Sequence, residues 1–444
     1  MDSAAAAAVA EGDAEQEIEG ELSLRFRSAF AALPPTAFAV PLRLNRSGLS
    51  KVVNHIMAAG EGEDTGEGEA AAAAEVPLDF LLNGRFLRGT LAAFVEKHQL
   101  NAELTHTVEV VRRLARPGTS EAELQEDWVS CFSGAAAGAA GLFVAGTYDG
   151  CAAVWSARDG RCIARLTGHA GAARMVKGVD MLVDSVGGSG LVVSASKDCT
   201  LRCWRLDLAA LGGGEAGGGG GAPPPTIAAD VTCVGHQDSV DAVAICASDE
   251  AGRWASGSWD CTVKLWGMPA EGKHEARPLA SMDGHQRAVC SVCWPSERLL
   301  FSGGNDHSIR LWDVSTTLCA RTLYGKSPVA ALAYSSIARR LASAHPDFAV
   351  RVWDPRVGSS GATSQALQGH TGCVTDVAWS PVSPHMLASS SLDMTVKLWD
   401  LRSNVPLYTL KEHTDKVLAV SWLQEELIAS GGCDKKICWA AVSQ

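Results

Sequence analysis

The chain has 444 residues, 47% of them hydrophobic, which is enough for two domains and at least one full core. Its 38 basic and 50 acidic residues give a formal charge of −12, and that excess sits in residues 1–20 and 61–75, which hold six acids each and no Lys or Arg. The rest balances at 38 against 38, so the folded parts are not built mainly to neutralise phosphates, although a local RNA contact is not excluded.

Residues 1–20 read as an acidic, disordered tail without the basic start of a secretory signal. Glu21 to Phe30 alternates as a strand, and Ala37 to Leu44 reads as its hairpin partner. Ser47 can cap a helix in which Leu49, Val52, Val53, Ile56 and Met57 recur at helical spacing. The acidic insertion 60–75 follows. Leu78 to Gly84 reads as a strand running into a turn, Leu91 to Lys97 as a short helix, and Thr107 to Val111 as a last strand. This order over residues 21–112 is that of a ubiquitin-like β-grasp, and a generic α+β module fits it as well.

Residues 127–444 repeat one unit: Gly-His, an apolar alternating run, Ser-x-x-x-Asp, and a second run ending in Trp. Asp149, Asp198, Asp260, Asp306, Asp347, Asp393 and Asp434 mark seven copies. Six copies place Trp six residues later (Trp155, Trp204, Trp266, Trp312, Trp353, Trp399), whereas Trp439 comes one residue early. Ser194, Ser256, Ser302, Ser343, Ser389 and Ser430 precede their Asp by four, with Ala145 in the first copy. His169, His236, His285, His370 and His413 stand ahead of their repeats. The set resembles the WD-repeat family, which implies a mainly β fold, a seven-bladed propeller whose His, Ser, Asp and Trp side chains tie each blade together. A buried polar network is costly unless every member is satisfied, so these residues read as structural and not as a hydrolase triad.

The departures mark special places. Asp198 and Asp260 are 62 residues apart against 41 to 49 elsewhere, so the Gly-rich stretch 211–225 reads as a flexible surface loop. The first copy lacks both Ser and His, and the fifth has Tyr324-Gly325-Lys326 for Gly-His; these blades are expected to be the least well tied. The chain stops five residues after Trp439, too soon for an outer strand in the seventh copy. A segment ahead of the repeats should therefore close the ring. Val110 to Ala115 is the candidate strand, with 113–126 as linker and possible closing strand.

Phe80-Leu-Leu-Asn-Gly-Arg-Phe-Leu-Arg88 and Glu126-Asp127-Trp128-Val129-Ser130 ahead of seven repeats resemble the WD-repeat ribosome-biogenesis family of the PeBoW complex, whose N-terminal domain is the ubiquitin-like NLE domain. The resemblance runs from about Leu22 to the end of the chain. It implies a nucleolar and nucleoplasmic assembly factor for pre-ribosomal large-subunit particles, needed to mature the large-subunit rRNA and 5.8S rRNA. Implied partners are a block-of-proliferation-type WD-repeat protein, pescadillo, and the ATPase midasin, which would pull on the ubiquitin-like domain. It further implies that Glu103, between the short helix and the last strand, offers its carboxylate to a Mg²⁺ held in midasin, since hard cations prefer oxygen ligands. Without the resemblance, Glu103 reads as a solvated loop carboxylate.

Other function classes find less in the sequence. Trp353-Asp-Pro-Arg356 and Trp399-Asp-Leu-Arg402 fit the short box of cullin-type ubiquitin-ligase receptors, a pattern that is also ordinary at a strand end. No Walker loop, His-Glu-x-x-His or Gly-x-Ser-x-Gly element is present, so neither an enzyme nor a cofactor is expected. Fourteen cysteines spread through strand-like runs read as reduced thiols; Cys290 and Cys293 alone have metal-like spacing, and on a strand they point to opposite faces.

Overall fold

The computed structural model describes residues 20–442 apart from 29, 32, 61–75, 102, 114–115, 120–122, 134–140, 185–187, 213–222, 249–251, 270–271, 358–362 and 425. Nearly all of the acidic tail, and the acidic insertion, lie outside the described residues. The chain divides into two compact units, residues 1–114 and 115–443.

In the first unit, pleating turns Leu22, Leu24 and Phe26 of strand Glu21–Ser28 to one side, where they meet Leu49, Val53, Phe80, Phe94, Val108 and Val110 in one core. The sheet runs in the order Phe38–Pro41, Glu21–Ser28, His106–Arg112, Leu78–Leu82, Arg85–Phe86, with the first and last long strands parallel at its centre. Helices Arg46–Gly60 and Leu91–His98 complete a β-grasp. Asn83 and Gly84 adopt φ of 51° and 73°, the paired left-handed conformation of a tight hairpin, and this brings in Arg85–Phe86, a strand the sequence reading lacked. The first helix is capped by Asn45, not Ser47. Asn45 is held extended by a bridge to Thr90, and its Oδ1 accepts from Gly48 N–H at 3.0 Å, which places Ser47 inside the first turn.

The second unit holds, among the described residues, seven sheets, each with at least four strands, antiparallel except for a parallel edge strand in the first and second. Their innermost strands are Val129–Phe132, Val176–Val183, Val240–Ile245, Val289–Ser296, Ala331–Ser335, Val374–Trp379 and Val417–Trp422; each lies against the next, and the last against the first. The ring is stapled across this inner wall. Asp180 Oδ2 accepts from Ile245 N–H (2.8 Å) and Asp376 Oδ2 from Val420 N–H (3.1 Å), while Trp294 and Trp379 donate backwards to Ala244 and Ala333 carbonyls. Burial pushes the Asp376 carboxyl up to about 6.

Ring closure corrects one expectation. Val110 to Arg112 belongs to the β-grasp sheet, paired with Leu78–Leu82, because its apolar side chains complete that core. The strand Lys436–Ala441 is covered instead by two short pieces, Gly118–Thr119 and Glu123–Leu124. The Gly-rich insertion is corrected at both ends. Leu208–Gly212 forms a short helix, Pro225 O accepts from Arg165 N–H at 2.9 Å, and Thr226–Ala228 then runs parallel to Cys162–Thr167 as a fifth strand of the first blade.

Candidate functional site

The repeated side chains meet at the turn between the second and third strands of each blade. There the Asp accepts from the N–H two residues on, as Asp260 does from Thr262 at 3.0 Å, and the residue between is left-handed: Cys199, Cys261, His307, Phe348, Met394 and Lys435 have φ of 62° to 68°. A buried imidazole then joins Asp to Ser. His236 Nδ1 lies 2.7 Å from Asp260 Oδ2 and its Nε2 2.7 Å from Ser256 Oγ, which accepts from Trp266 Nε1–H at 2.8 Å. His285, Asp306, Ser302 and Trp312 repeat this, as do His370, Asp393, Ser389 and Trp399. Because a carboxylate only accepts, Nδ1 carries the proton and Nε2 accepts from the serine hydroxyl. Burial by itself raises the Asp260 and Asp306 carboxyls; hydrogen bonds from His, Thr or Ser and backbone N–H outweigh it and hold both well below the usual range. Each serine is fully buried and already bonded, so no exposed nucleophile results.

Four blades vary the theme. In the second, His169 bridges Asp198 (2.8 Å) and Ser194 (2.7 Å), but Trp204 Nε1 is buried with no partner among the described residues. In the seventh, His413 bridges Asp434 and Ser430. Ser430 faces Cys438 in register, so the early Trp439 points to the opposite face, where it meets the Phe143 ring edge-on at 5.1 Å. The fifth blade corrects the expectation of a weak tie: His345, two residues after Ser343, supplies the imidazole. Its Nε2 lies 2.7 Å from Ser343 Oγ and its Nδ1 donates to Pro328 O at 2.7 Å, while Trp353 Nε1–H reaches Ser343 at 2.7 Å. Asp347, released from that duty, is paired with Arg351. The Ser-Ala-His run was visible in the sequence, but nothing local shows that its imidazole turns inward. In the first blade Asp149 is held by Thr147 and by Arg165, whose guanidinium also grips Glu126 at 2.6 and 3.1 Å.

The remaining sequence candidates fall elsewhere. Glu103 is exposed on the turn between helix Leu91–His98 and strand His106–Arg112 of the β-grasp unit. That turn is locked from several sides. Asn101 Oδ1 accepts from Glu103 N–H at 2.9 Å, His106 Nε2 lies 2.8 Å from Asn101 O, and Ser23 and Thr105 hydroxyls meet at 3.1 Å. Glu103 N–H is thus bonded within the turn, and an exposed Leu104 stands beside the exposed Glu103. In the two Trp-Asp-x-Arg boxes, Arg356 and Arg402 fold back onto Asp354 and Asp400 of the same box. Burial pushes the Cys290 and Cys293 thiols up to about 12, so both stay protonated. Among the described residues no group of three or more His, Cys, Asp or Glu side chains is placed to hold a metal ion.

A β-grasp unit ahead of a ring of sheets tied by His-Asp-Ser-Trp sets defines a WD-repeat protein with an N-terminal ubiquitin-like domain. Residues 22–95 match the family described as the NLE (NUC135) domain, and six stretches between 160 and 439 match the WD domain, G-beta repeat. The chain is 34% identical over 446 residues to the ribosome biogenesis protein WDR12 homolog of Chlamydomonas reinhardtii, covering 91% of this chain and 94% of that one. It is 30% identical to the proteins of that name from Nematostella vectensis (90% and 94% covered) and Arabidopsis thaliana (91% and 92%). The chain belongs to the family of ribosome biogenesis protein WDR12 homologues.

Proposed function

We propose that this protein is a non-catalytic scaffold in the assembly of the large ribosomal subunit, acting in the nucleolus and nucleoplasm within a PeBoW-type complex on the way to mature large-subunit rRNA and 5.8S rRNA. The ring of blades docks a block-of-proliferation-type propeller and, with it, pescadillo. The β-grasp unit is the handle that midasin grips to release the protein from the pre-ribosomal particle. The observation that carries this reading is Glu103, an exposed carboxylate on a turn locked by Asn101 and His106. A preformed turn loses little conformational freedom on binding, and a carboxylate completes the oxygen shell of a Mg²⁺ held by the partner.

The test is a pull-down with Glu103→Arg. Midasin capture should be lost while the partner propeller and pescadillo still co-purify. Midasin capture at the level of the unaltered protein would overturn the assignment of Glu103.

A further inference from the structure

His236, His285, His370 and His413 stand four residues before Val240, Val289, Val374 and Val417, the first residues of their innermost strands. In the repeated sets the histidine comes two residues after the partner of the second position past the Asp, as His285 follows Asp283, the partner of Thr262; in the first blade Leu124 pairs with Lys436, so Glu126 takes that place, Gln125 the preceding glycine's and Ala145 the serine's. Gln125 N–H donates to Lys435 O at 2.7 Å, as Gly325 N–H does to His307 O in the fifth blade, but the polar chain is missing. Trp155 is 4% exposed, and its Nε1–H and the Gln125 Nε2–H have no hydrogen-bond partner among the described residues. Both side chains line a cavity of about 180 Å³ with Thr147, Asp149, Arg165 and Leu124.

The chemistry narrows what fits. Two donors call for an acceptor, because a buried N–H left unpaired costs roughly 1–3 kcal/mol. Arg165 is already shared by Glu126 and Asp149, so two carboxylates face one guanidinium and a further anion is repelled. A neutral carboxamide meets both conditions, its oxygen accepting from Trp155 and Gln125 and its NH₂ donating towards Asp149. Size agrees, since water fills about 30 Å³ per molecule and the cavity is several times that. Leu124, on the cavity wall, is 73% exposed and gives an apolar rim.

We infer that the first blade carries a receptor for an asparagine or glutamine side chain on a loop of a protein partner, a flanking residue of that loop lying on Leu124. The inference rests on the scaffold reading for the existence of such a partner, but its test does not involve the ribosome. The full chain, labelled with ¹⁵N-tryptophan, is titrated with acetamide, with acetate, and with the capped peptide acetyl-Leu-Asn-Leu-amide; Trp155→Phe assigns the reporter resonance. Acetamide and the peptide should shift the Trp155 indole N–H to saturation, with the peptide binding about tenfold tighter through the rim, and acetate should leave it in place. Ala145→Ser returns a hydroxyl to the indole and should weaken both ligands about tenfold, the worth of one such bond. Gln125→His is the second variant should Ala145→Ser not fold. No shift with acetamide, an equal shift with acetate, or unchanged binding in the folded variant would overturn the receptor; equal affinity for peptide and acetamide would overturn the partner loop.

Discussion

Ser343 and His345, two residues apart on one segment, share a 2.7 Å hydrogen bond that rebuilds in the fifth blade the tie other blades make with a histidine from the preceding connection. His345 has no exposed surface and also holds Pro328 O, so replacing it strands Ser343 and a carbonyl together. His345→Ala should cost about 3 kcal/mol, and chemical denaturation should show it. A loss under about 0.5 kcal/mol would mean the fifth blade does not depend on this imidazole.

The same histidine makes stability depend on pH. Burial, reinforced by the charge of Arg351, pushes His345 down to about 4 from its ordinary 6.5. The unfolded chain takes up this proton near 6.5, whereas the folded chain refuses it until about 4. The contribution is therefore complete above 6.5, falls through that window as pH drops, and is flat below it, with an upper bound of about 3 kcal/mol. Melting temperatures from pH 7.5 to 4.5 should fall less steeply for His345→Gln than for the unaltered protein; parallel slopes would refute the assignment.

In the third blade, Ser256 is the acceptor for Trp266 Nε1–H and the donor to His236 Nε2. Ser256→Ala removes both bonds at a fully buried position and should destabilise by about 2–4 kcal/mol. In the second blade Trp204 Nε1 makes no hydrogen bond to Ser194, so Ser194→Ala strands one partner fewer and should cost roughly half as much. Equilibrium unfolding of the two variants side by side checks the ranking.

Arg165 joins Glu126, just after the closing strand pieces, to Asp149 of the first blade. Glu126 is well exposed, so its ion pair is worth about 1 kcal/mol or less, and the global effect of Arg165→Met should be small. The local effect should be large, because Gly118–Thr119 and Glu123–Leu124 are only two residues long and have few other anchors. Hydrogen exchange should speed up across residues 118–126 and stay unchanged in the third and fourth blades; uniform acceleration would argue against a closing clasp.

Short-range pattern in the chain carries much of this architecture. Period-two runs such as Thr262–Trp266 and the strand-helix order of residues 21–112 are local properties, and the structure builds strands and a β-grasp from them. Position in the repeat also placed the His-Asp-Ser sets, since one geometry recurs wherever the spacing does. Which partner each element takes follows from burial across the whole fold. Val110 alternates as a closing strand would, yet it joins the β-grasp sheet because its inward side chain completes the core formed with Phe80 and Leu24. Trp439 lies one residue from its expected place, and a strand's twofold period converts that single step into the opposite face. His345 and Gln125 acquire their roles from groups brought beside them by folding, the Pro328 carbonyl in one case and the Trp155 side chain with Ala145 in the other. Contacts across such separations are set by which surfaces must be buried together, and the order of residues along the chain does not encode that one position at a time.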